Sequence, residues 1–254
     1  MFKNKPNKLL TGLIITMFAF TLNTNVAGAE SINQPINKEV NGEAPVVFKG
    51  KEYKDIEDLV KSTGEENWKP IHIPTKKEKE EFFAKQRANI KQGFAAQSIP
   101  DDWPHVGDIL VTSSTSSYGL TGHSGIIISD STMSQGENVV HIAGPGYHPR
   151  KMSTEEWAHR YPKTAWLRYK DRTAAYKAGR FAEQEFLVDL AYIDYRVTPG
   201  VLDQSYTYCS ELVYQSYAFG AGVHFWNSWQ ESIGIIKPYD FLDDSSFKKY
   251  FSTM

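Results

Sequence analysis

The sequence predicts an α+β fold, a small antiparallel sheet packed against helices, and three observations carry that expectation. Short β-branched runs of strand length, Val106–Val111, Gly122–Ile128, Val139–Ala143 and Trp166–Tyr169, are separated by Gly, Ser and Asn turns. Two helical patterns follow, one through Ala174, Ala178, Phe181, Phe186 and Leu190, the other through Leu212, Val213, Tyr217 and Phe219. The chain has 254 residues, 41% hydrophobic and 13% aromatic, enough apolar matter for one core.

Ahead of that core the sequence reads as two segments. Lys3, Lys5 and Lys8 precede an apolar run from Leu9 to Leu22, and Ala27-Gly28-Ala29 supplies a small-x-small site. Residues 1–29 therefore read as a secretory signal peptide cut after Ala29, with the mature chain secreted and not stably inserted in a membrane. Residues 30–98 read as an accessory segment, partly helical. Tyr53, Ile56, Leu59 and Val60 mark a short helix ending near Gly64, and Trp68 to Pro74 an extended linker. Thr75-Lys-Lys-Glu78 is a capping box opening a charged helix that stops at Gly93, with Phe82, Phe83, Ala84 and Ile90 as its docking face. Residues 99–254 are the expected catalytic domain, in which Gly179 is the weak point of the first helix.

A net charge of −2 gives no electrostatic case for binding nucleic acid. The lone cysteine, Cys209, rules out an internal disulfide and stands where a Gly- and Asp-containing approach gives way to helical spacing. At a helix N-terminus, free N–H groups and the macrodipole favour a thiolate. A thiol nucleophile needs a base, for which histidine has a suitable pKa, and a third group to fix the imidazole. His123, beside small residues at a strand entrance, is the candidate base. His141 on the next strand is placed to orient it if the two strands pair. A buried structural thiol and two satisfied core histidines are the bland alternative. A zinc site from His105, His123, His141, His148 and Cys209 is another, with irregular spacing against it. No cofactor is implied.

Gly107-Asp108-Ile109, then Gly122-His123-Ser124-Gly125-Ile126-Ile127, then Cys209-Ser210-Glu211-Leu212-Val213 resemble, in that order, the permuted NlpC-type papain-like cysteine hydrolases, specifically the YiiX-like group. The resemblance spans residues 104–245 and implies a papain-like core with Cys209 as nucleophile, His123 as base and His141 as orienting residue. Glutamate is expected in that group at the last position, so His141 is a departure. The Cys209 amide is the expected oxyanion donor, with Tyr206 or Tyr208 as a second and Tyr192 lining the cleft. Asp108 and Glu211 are expected to be structural, the first capping a turn and the second facing strand backbone or a cation. The resemblance, joined to export, implies hydrolysis of a peptide or amide bond, as in peptidoglycan. Acyl transfer from a lipid on the same fold, or a non-catalytic secreted module, are the alternatives.

Overall fold

The computed structural model describes residues 45–93, 95, 98–115, 122–128 and 138–252; the signal-peptide region and the turn at Gly136 and Glu137 lie outside them. A seven-stranded sheet in the order β3-β9-β8-β4-β5-β6-β7 organises the chain. Its centre is β4 (Ile109–Thr112), β5 (His123–Ile127), β6 (Val139–His141) and β8 (Thr164–Tyr169), with β7 (Arg150–Met152) at one edge. All these pairings are antiparallel, as the sequence suggests. At the other edge β9 (Phe247–Phe251) runs antiparallel to β8 and parallel to β3 (Lys69–Pro70).

That last pairing corrects the linker expectation, because Lys69 and Pro70 are a strand of the main sheet. The residues before them are also part of the body. β1 (Val46–Phe48) and β2 (Lys51–Tyr53) form a hairpin, and α1 (Ile56–Thr63) follows, capped by Asp55. Tyr53 closes the hairpin and does not begin the helix. Val46, Phe48, Ile56, Leu59, Val60 and Trp68 are buried in the same apolar cluster as the central strands, so residues 45–75 are built into the core. α2 (Lys76–Lys91) forms with the expected capping box at Thr75 and Glu78. Its docking differs from the expectation: Ile90 is exposed, while Phe82 packs on Trp103 and Lys79 is buried. Lys79 Nζ reaches Thr154 Oγ1 and Glu155 Oε2, each at 3.4 Å.

One face of the sheet carries α4 (Arg172–Gln184), which continues through a π-turn to Asp189, and α5 (Cys209–Ala221). Gly179 does not weaken α4: a Cβ there would lie 2.5 Å from Val106 Cγ1 and 2.7 Å from Ile127 O. The glycine is what lets helix and sheet approach. The other face carries α3 (Thr154–Arg160), whose Trp157 packs with Leu110, Ile127, Val139 and Trp166. The short α6 (Ser228–Ile233) follows α5. Sheet, α5 and the histidine strand together give the α+β arrangement. No helix of the described residues is long and apolar enough to cross a membrane.

Candidate active site

Strand pairing brings the histidines together. The β5–β6 register sets Ile126 opposite Val140 and Ile127 opposite Val139, so His141 lies diagonal to His123 on one face. Gly125 sits between them, and a Cβ there would come within 3.0 Å of Trp157 Cζ3. The gap lets the Trp157 ring lie against His123, with centroids 5.3 Å apart and planes 18° from parallel. His123 Nε2 and His141 Nδ1 are 3.0 Å apart. On the far side of His141, Arg150 Nε donates to Nε2 at 3.4 Å. His123 Nδ1 is buried and has no hydrogen-bond partner among the described residues.

Cys209 is the first residue of α5, after the N-cap Tyr208, so its amide lies outside the helical hydrogen-bond ladder. Its sulfur is not hydrogen-bonded to His123. It lies at Ser124, the next residue, whose amide together with that of Ser210 pulls the thiol pKa down. Burial is the larger effect and pushes it up. The expectation of a thiol made acidic by the helix terminus is thereby corrected: a fully enclosed sulfur loses more from desolvation than the terminus returns. The histidines obey the same rule. Burial, then the charge of Arg150, pushes His123 down to about 3. Burial, His123 and Arg150 hold His141 well below its ordinary range.

Tyr161 adds a second aromatic wall on the histidine side. Its ring centroid lies 5.5 Å from that of His123 and 4.7 Å from that of Trp157, and burial pushes its hydroxyl pKa up. Trp157 and Tyr161 were not singled out in the sequence. The signal was Ser153-x-x-Glu156, a helix-start pattern whose hydroxyl accepts the Glu156 amide at 2.9 Å, with Trp157 and Tyr161 one turn apart behind it.

The remaining candidates lie as follows. The Tyr208 hydroxyl accepts the Ile236 amide at 3.0 Å. Tyr206 lies against the Arg196 guanidinium at 3.9 Å, and Tyr192 is 86% exposed, edge-on to His148. Asp108 accepts the His105 amide at 2.9 Å and pairs with Arg168 Nη2 at 2.7 Å. Glu211, in the first turn of α5, is buried, and neither carboxyl oxygen makes a hydrogen bond of normal geometry. Burial and then the Asp203 carboxylate push its pKa up to about 10, against a pull from the Tyr208 amide. No group of three His, Cys, Asp or Glu among the described residues could hold a metal ion.

Cys209, His123 and His141 are at most 1% exposed. The cavity of about 500 Å³ lined by Val60, Trp68, Pro162 and Phe251 contains none of them. The site is closed, with a thiol, an imidazole pair and aromatic walls shielded from water.

Residues 85–251 match the family described as lipoprotein N-acylation protein LnsA-like. An uncharacterized 30.3 kDa protein of Bacillus thuringiensis is 33% identical over 148 residues, 54% of this chain and 52% of that protein. The chain thus spans about half the length of the curated relative it matches. Among solved structures, the metalloprotein yiiX of Escherichia coli O157:H7 superposes with a TM-score of 0.42 at 14% identity, over 57% of this chain and 96% of that one.

Proposed function

Because the chain belongs to the lipoprotein N-acylation protein LnsA-like family, we propose that it is a cysteine acyltransferase, moving an acyl chain from a lipid ester through Cys209 to an amine. The observation that carries the reading is that the family match spans His123, His141 and Cys209 together. This takes the lipid acyl-transfer alternative in place of peptide hydrolysis.

The steps balance with the groups present. Cys209 gives its proton to His123 as sulfur attacks the ester carbonyl, and the Cys209 amide faces the developing oxyanion. The carbon–oxygen bond breaks, the alcohol leaves with the proton from His123, and a thioester remains. An amine then attacks, its surplus proton passes through His123, and the thiol is restored with an amide as product. Burial of the site favours this outcome, since a thioester out of contact with water survives until an amine arrives. The signal peptide read at residues 1–29 would place this chemistry outside the cytoplasm.

Purified protein incubated with phospholipid vesicles and a diacylglyceryl lipopeptide bearing a free amine tests the reading by mass spectrometry. The expected result is an acyl mass on Cys209 that hydroxylamine removes, plus an N-acylated lipopeptide. Both vanish in Cys209→Ser. Free fatty acid without amide would make the protein a hydrolase, and no adduct with any lipid would end the thiol mechanism.

A further inference from the structure

We propose that Arg150 is a switch that sets the proton positions of the histidine pair: it holds the base off in the free enzyme and releases it when an oxyanion of the substrate takes its guanidinium. The inference rests on the reading of Cys209 and His123 as nucleophile and base. It follows from the direction of the hydrogen bonds. A guanidinium can only donate. Because Arg150 Nε donates to His141 Nε2 at 3.4 Å, that nitrogen carries a lone pair, and neutral His141 holds its proton on Nδ1. This proton is donated to His123 Nε2 across 3.0 Å. The proton of His123 is therefore on Nδ1, the nitrogen with no partner among the described residues. In this state His123 Nδ1 already carries a proton and cannot accept one from the thiol.

The working arrangement is the other tautomer of both rings. His123 must carry its proton on Nε2 and donate to His141 Nδ1, and the His141 proton must move to Nε2. No proton is gained or lost overall, but His141 Nε2–H would then point at Arg150, two donors facing one another. Arg150 must leave for the base to work. Its position allows this: it begins the edge strand β7, is half-buried, rests over the Tyr147 ring at 5.4 Å and pairs with no carboxylate among the described residues. A phosphate or carboxylate on the acyl donor can pair with the guanidinium and accept the new His141 Nε2–H. Substrate charge would thus turn on the base.

Alkylation of Cys209 by iodoacetamide, followed across pH by intact mass, tests this without turnover. Wild-type protein is expected to react slowly near neutrality. Inorganic phosphate or acetate, at ionic strength matched with chloride, is expected to accelerate it, and the more effective of the two names the oxyanion. Arg150→Met is expected to react about tenfold faster or more without any anion, with its apparent pKa lowered by about one unit and no response to phosphate. Arg150→Lys keeps a cationic donor and stays slow. An Arg150→Met protein that matches wild type in unfolding midpoint but is no faster, or a wild type indifferent to both anions, overturns the switch; Arg150→Gln replaces Met if that variant does not fold. His123→Ala added to Arg150→Met must return the rate to the slow level. A double variant that stays fast overturns the parent reading of His123 instead.

Discussion

Two buried polar clusters in this molecule are built to opposite standards. At the Asp108 cluster every donor is used. Arg168 Nε donates to Asp108 Oδ1 at 3.0 Å, and Nη2 donates to Asp108 Oδ2 at 2.7 Å and to Trp103 O at 2.6 Å. Nη1 donates to the Asp101 backbone and side chain and to the Tyr250 hydroxyl, over whose ring the guanidinium lies at 4.6 Å. At the Cys209 cluster the bookkeeping is left open: His123 Nδ1 and both oxygens of Glu211 lack partners among the described residues. A satisfied network rigidifies, whereas buried groups left unpaired cost stability and persist where chemistry uses them. The contrast separates scaffold from site more sharply than burial does, since both clusters are enclosed.

The largest effect should come from breaking the closed cluster. Asp108→Ala leaves the Arg168 guanidinium buried without its main counter-charge and should cost about 3–5 kcal/mol by urea unfolding. At the open cluster the roles reverse. His123→Ala should cost only about 1–2 kcal/mol, the orphaned His141 donor outweighing the loss of a desolvated ring, yet lower acyl transfer by about 10²–10⁴-fold. A His123→Ala protein as unstable as Asp108→Ala would erase the distinction.

The next effect is in pH. His123 and His141 are held neutral in the fold, with His123 at about 3 against an ordinary 6.5. A depressed folded pKa gives stability that is whole above the unfolded value and is lost as pH falls toward the folded one. Below about pH 6.5 the unfolding free energy should therefore drop, by up to about 1.4 kcal/mol per pH unit for each ring, the His123 part ending at about pH 3. Between about pH 4.5 and 3, below the range in which Glu211 opposes them, His123→Ala should halve the slope, and an unchanged slope would mean that the rings are already charged in the native state.

What the residue order could and could not reveal divides along similar lines. The histidine pair was legible because two strands of matched alternation constrain each other locally, and the Thr75 cap because its signal is four residues long. β3 was not: two residues, one of them proline, pair with a strand some 180 positions onward, and no local pattern encodes such a partner. Trp157 and Tyr161 were missed because stacking on His123 depends on the gap at Gly125 and not on anything in α3. Proximity of Cys209 to a helix start was readable, but the net direction of its pKa was not. That direction is set by how completely the surrounding elements bury the sulfur, a tertiary quantity that outweighs the terminus.

Glu211 supplies the smallest of these effects and the sharpest internal control. Its folded pKa, about 10, lies above the ordinary 4.5, so its contribution is complete below pH 4.5 and is lost as pH rises toward 10. This is the opposite sign to the histidines, and between about pH 4.5 and 6.5 the two slopes oppose each other. Glu211→Gln removes the titration while keeping shape. Burying the two N–H donors of the amide without partners offsets most of the gain near neutrality, leaving about 1 kcal/mol, and the gain widens on the alkaline side. The same variant should steepen the acid limb, because the histidine slope is then no longer offset. If Glu211→Gln instead destabilises the protein near neutrality and leaves both limbs unchanged, the native carboxyl is ionised and bound to a partner, and the Cys209 cluster would have to be counted as closed on that side.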